Sequence, residues 1–111
     1  MRLRDLEAEF LKYTGNGTHQ RVGEQLEGAD GILFCCPKCW AAAGKREGVH
    51  GVLCWFEDRV PDDVVPGPGR WKPQGTGLDD LSFVPGKHSN SVHLTGGGCQ
   101  WHGFVTAGDA T

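Results

Sequence analysis

The chain has no apolar run near the roughly 18–20 residues that a membrane-spanning helix needs, so helical insertion into a bilayer is not expected. It also lacks a positive balance. A formal net charge of -3 and a pI of about 5.9 provide no global attraction to nucleic acid or to an anionic membrane. The opening Met1-Arg2-Leu3-Arg4-Asp5 is charged but is not followed by the apolar stretch of a signal peptide. The expected location is therefore the cytoplasm, where thiols stay reduced. Several catalytic patterns are missing too. No His-x-Glu occurs to accompany a Pro-Cys-x-x-Cys, as zinc deaminases require, and there is no His-Glu-x-x-His. Gly96-Gly97-Gly98 lacks the Lys-Ser/Thr of a phosphate-binding loop. The neighbouring carboxylates Asp62-Asp63 and Asp79-Asp80 fall in turn-like stretches and read as solvated charges. There is no internal repeat.

What remains is a chain of 111 residues, enough for one domain, with 18 glycines and a hydrophobic fraction of 38%. Such a chain buries a small core, and a metal cross-link would supply a large share of its stability. It has five cysteines, an odd number that argues against a pure disulfide framework. Their spacing points to metal. Cys36 and Cys39 are separated by two residues in Cys35-Cys36-Pro37-Lys38-Cys39, and Cys99 and His102 by two residues in Cys99-Gln100-Trp101-His102. A two-residue spacer lets one turn of backbone aim two side chains at one ion, and two such knuckles complete a tetrahedron. The expected site is one structural Zn2+ held by Cys36, Cys39, Cys99 and His102.

The other candidate ligands are read more simply. If residues 32–35 form a strand, Cys35 and Cys36 point to opposite faces, and Cys35 becomes a core thiol. His50 and Cys54 share one face of a strand but stand about 13 Å apart, too far to meet at one ion unless the strand bends. Cys54 is then a core residue. His50 is a structural histidine, a partner to a ligand, or the replacement ligand if His102 points elsewhere.

Along the chain, Leu3, Leu6, Phe10 and Tyr13 recur at three to four residues and predict an N-terminal amphipathic helix within residues 1–14, ended by Thr14-Gly15-Asn16-Gly17. Strands are expected near 18–22, 31–35, 49–56, 91–95 and 102–106, with 49–56 apolar on both faces and therefore central. Trp40–Ala43 reads as one helical turn before Gly44. Residues 57–77 are broken by Pro61, Pro66, Pro68 and Pro73 and by four glycines, and read as a long loop anchored by Trp71. The fold class is α+β, mainly β: a compact antiparallel domain, residues 1–111, with one N-terminal helix and a zinc clasp between the knuckles.

Phe34–Cys39, Cys54-Trp55-Phe56, Gly69-Arg70-Trp71, Gly77–Leu81 and Cys99–Phe104 together resemble a group of small phage and prophage proteins of unknown function, some of which carry an ammonia monooxygenase label. The resemblance covers the chain from about Asp30 onward. It implies a phage-encoded, β-rich zinc protein, and no reaction; the cytoplasm expected above would then be that of the host cell. The first functional expectation is thus a zinc-stabilised interaction module that contacts a host or phage protein. A small metal-dependent hydrolase, with an open zinc position and His50 or an acidic residue as base, is the alternative. A nucleic-acid binder using Arg70, Trp71 and Lys72, an aromatic between two cations, is the third.

Overall fold

A computed structural model describes residues 1–16, 18–44, 49–67, 69–94 and 99–111. The architecture is mainly β and antiparallel, as expected. Its largest sheet contains β1 (Glu9–Gly15), β2 (Thr18–Gly23), β3 (Gly31–Cys35) and β4 (Gly51–Trp55) in the order β2-β1-β3-β4. Three two-stranded ribbons follow: β5 (Lys72–Gln74) with β6 (Ser82–Val84), β7 (Val92–His93) with β8 (His102–Gly103), and β9 (Val105–Thr106) with β10 (Asp109–Ala110). The helix α1 (Pro37–Ala43) lies between β3 and β4 in the chain. Among the described residues, no helix is long and apolar enough to cross a membrane.

The N-terminal segment corrects the sequence expectation. Leu3–Leu6 form a single 3-10 turn, closed by Glu7 in the left-handed region at φ 54°, and residues 9–15 are a strand. The spacing of Leu3, Leu6 and Phe10 is real, since all three are fully buried in one cluster. A 3-10 turn places i and i+3 on one side just as an α-helix does. Beyond it, Phe10 and Leu11 enter two separate clusters, as side chains alternating along a strand do. An isolated helix of a dozen residues is marginal. Pairing of Phe10 with Ile32 across β3, and of Lys12 and Tyr13 with β2, outweighs it. The one α-helix among the described residues is α1 instead. Pro37 occupies its first turn, where a missing N–H costs nothing, and Gly44 ends it in the left-handed region at φ 69°.

Strand β4 is also not central. It is the last strand of its sheet, and among the described residues its outer edge is continued by an isolated parallel bridge between Phe56 and Trp71. Both faces are nevertheless buried. Val52, Cys54 and Phe56 join Phe10, Ile32, Phe34, Leu78, Leu81, Phe83 and Trp101 in the main core. Trp55, on the other face, packs with Leu11, Val60 and Val64 in a second, smaller core supplied by the 57–71 segment.

That segment holds its shape through Arg70, which is only 3% exposed. Its guanidinium donates to the carbonyl oxygens of Pro61 (2.9 Å), Val64 (2.8 Å), Pro66 (2.9 Å) and Gly69 (2.8 Å). One planar fork thereby satisfies carbonyls that no sheet ladder reaches. The loop expected over 57–77 gives way at its end to β5, which pairs with β6. Trp71 is the anchor it was expected to be, stacked on Phe83 at 5.7 Å and donating its indole N–H to Ser91 O at 3.0 Å.

Candidate metal centre

The end of β3, the start of β4 and the segment before β8 converge on one point. The antiparallel register pairs Cys35 with Gly51, so the next residue outward on each strand, Cys36 and His50, face one another. The Cys36 N–H donates to His50 O at 3.0 Å. Cys36 is the residue that caps α1 and Cys39 lies in the helix's first turn, so the two-residue spacer curls both thiols to one side, as the knuckle reading required. Cys99 arrives from the other end of the chain. Its Sγ stands 3.3 Å from Cys36 Sγ and 3.2 Å from His50 Nε2, and its carbonyl accepts from Lys38 Nζ at 3.1 Å.

The ligand atoms of Cys36, Cys39, His50 and Cys99 all lie within 4.8 Å of one another. A tetrahedron built on metal–sulfur bonds of ~2.3 Å and metal–nitrogen bonds of ~2.0 Å has edges of about 3.5–3.8 Å, so the group has the dimensions of a metal site. The donor set fits as well. His50 Nδ1 lies 3.3 Å from Gly51 O, and Nε2 is the ring nitrogen that faces the cluster. The thiols share one another's protons unequally. Hydrogen bonding from His50, then from Cys36 and Cys39, lowers the Cys99 pKa to about 6. Hydrogen bonding with Cys99, followed by desolvation, raises Cys39 to about 11, and burial raises Cys36. A cation at the centre would stabilise all three as thiolates. The four residues form a group that could hold a metal ion.

His102, expected as the fourth ligand, is outside this group. The knuckle spacing fails there because the backbone does not carry both side chains to one side. Gln100 sits in the left-handed region at φ 55°, Trp101 enters the core against Phe34, and His102, the next residue along a strand, turns outward. Its ring stacks on His93, with centroids 4.5 Å apart. Thus the structure brings Cys36, Cys39 and Cys99 together with His50, the replacement ligand. The signal that finds His50 is register: if Ile32–Cys35 and residues 51–55 form an antiparallel pair joined through α1, Cys36 and His50 must be opposite. Cys35 is buried at the end of β3 and Cys54 is fully buried, where desolvation raises its pKa strongly. Neither is a ligand in the group.

The Arg70-Trp71-Lys72 triplet does not form the cation–aromatic–cation surface of a nucleic-acid contact. Arg70 and the Trp71 indole are committed inward, and only Lys72 is exposed. Acidic residues do not line the thiol cluster: no Asp or Glu joins the group among the described residues.

Fold and site together define a small β-rich domain with a candidate Cys₃His metal centre joining three segments of the chain. No protein-family model, curated protein or solved structure matches the chain.

Proposed function

We propose that this is a small zinc-binding protein in which Cys36, Cys39, His50 and Cys99 hold one structural Zn2+, and that the domain so clasped is a phage-encoded module that contacts a host or phage protein in the host cytoplasm. The observation that carries the metal reading is the convergence of four ligand atoms, drawn from residues 36–39, 50 and 99, within 4.8 Å. Three thiols and an imidazole select zinc among common divalent ions, because soft sulfur ligands in a tetrahedral set suit it. Four protein ligands close the sphere, and a closed sphere has no place for the activated water of a hydrolase. Function then falls to the surface that the clasp holds in shape. The motif resemblance supports the phage assignment, and the all-exposed β2 arm offers a contact surface.

Metal analysis of the purified protein tests the centre, with one equivalent of zinc as the expected result. X-ray absorption at the zinc edge should report three sulfurs and one nitrogen. Three protein ligands with a water oxygen in the fourth position would move the protein to the hydrolase reading. Affinity capture with the zinc-loaded protein from infected cells tests the module reading. Recovery of a protein that also binds the purified chain supports it, and recovery of nucleic acid alone overturns it.

A further inference from the structure

We propose a second metal site, on the β7–β8 ribbon, in which His93 and His102 chelate a borderline divalent transition metal ion independently of the thiol cluster. Two antiparallel partners face each other here: His93 pairs with His102 and Val92 with Gly103. The Leu94 N–H donates to Trp101 O at 2.9 Å, which makes 94 and 101 a hydrogen-bonded pair. Positions alternate along an antiparallel ladder, so His93 and His102 occupy the narrow, non-hydrogen-bonded pair, where opposite side chains come closest. The imidazoles stack with centroids 4.5 Å apart and planes inclined by 23°.

Metal–nitrogen bonds of ~2.0 Å on adjacent coordination positions require nitrogens about 3 Å apart. The ladder fixes the two backbones opposite one another, and the rings, now stacked with their in-plane lone pairs side by side, must unstack and turn until one nitrogen of each converges on the ion. Both residues are exposed, so the ion's other positions stay open to water or to a donor from another molecule. Phe104, two residues beyond His102 on the same face, stands 6.3 Å from its ring and walls one side. Imidazole ligands with open positions favour Cu2+, Ni2+ or Zn2+ and discriminate against Mg2+ and Ca2+. The site is distinct in chemistry from the thiol cluster: nitrogen-only, open and exposed rather than sulfur-rich and closed.

The test uses the protein as purified, with Ni2+ as the probe because it does not oxidise thiols as Cu2+ does. Proton NMR follows the paramagnetic broadening of each imidazole, and His19 and His88 serve as single-histidine references. The expected result is that His93 and His102 broaden together, at Ni2+ concentrations about tenfold or more below those that affect His19 and His88. His93→Ala and His102→Ala should each return the remaining partner to the reference range. Both substitutions lie on an exposed face, and circular dichroism checks that each variant folds. Equal broadening of all four histidines overturns the proposal, as does a His102→Ala variant in which His93 keeps its affinity. Loss of the protein's zinc in His102→Ala would overturn it differently, by assigning His102 to the first centre.

Discussion

At the scale of single residues, the two histidines nearest the second cysteine segment divide the functional argument between them. His50 Nε2 stands 3.2 Å from Cys99 Sγ, whereas His102 is stacked on His93 outside the group. His50→Ala should therefore lower zinc affinity by about 100-fold or more, because it removes a ligand rather than the support of one, whose loss already costs 10–100-fold. His102→Ala should leave affinity within about threefold, since surface changes away from such features are small. Competition against a chromophoric chelator reads both, and the reverse ranking would return the site to the spacing-derived set. Cys99 makes a second test. Its pKa, lowered to about 6 chiefly by His50, leaves it mostly thiolate at pH 7, while Cys39 is raised to about 11. In zinc-stripped protein, iodoacetamide at pH 7 should modify Cys99 before Cys36 or Cys39, and the rate should fall as pH drops through 6. Zinc should protect all three. Peptide mapping that found Cys39 first would overturn the assignment.

At the scale of elements, the close approach of β3 to β4 rests on a missing side chain. A Cβ on Gly31 would stand 2.7 Å from Trp55 Cε3 and 2.9 Å from Cys54 O, and Gly31 pairs directly with Trp55. Gly31→Ala should cost about 1–3 kcal/mol by overpacking, measured by urea denaturation, and a neutral change would show that Trp55 can move aside. This pair of strands was legible because Ile32-Leu33-Phe34 and the run from Val52 to Phe56 are apolar with few breaks. The first knuckle was legible from its two-residue spacing, and α1, which begins at Pro37 and not at Trp40 as expected, puts Cys36 and Cys39 on one turn. The second knuckle was not. Cys99-x-x-His102 repeats the spacing, but spacing brings side chains together only where the backbone curls, and Trp101 pulls this backbone straight into the core. The N-terminal strand was hidden because Leu3, Leu6 and Phe10 satisfy a helical period and a 3-10 turn followed by a strand equally well. The sequence pattern assigns residues to a face. It does not choose between two backbones that serve the same face, and pairing with β3 made that choice.

At the scale of the whole molecule, the clasp joins parts of the chain that contact order would otherwise keep apart. Cys36 and Cys99 are 63 residues apart in sequence yet their sulfurs are 3.3 Å apart. The termini are knitted separately: the Met1 amino group donates to Ala110 O, and Arg2 donates to Ala107 O and Asp79 O. The β7–β8 ribbon has less support, since each strand has only two residues in the ladder. Metal removal should consequently act unevenly. A metal that binds only the folded chain stabilises it by about 4 kcal/mol at a free concentration 1,000-fold above Kd. For a domain of this size that corresponds to a fall in Tm on the order of 10–20 °C when zinc is stripped. Hydrogen exchange should then show the first loss of protection in residues 36–44, 92–94 and 99–103, while the β1–β3 pairing and the terminal hydrogen bonds persist until global unfolding. Uniform loss of protection across the chain would mean that the zinc supports the whole core rather than the seam where its ligands meet. An unchanged Tm after complete metal removal would mean that the cysteine–histidine group does not stabilise the fold at all.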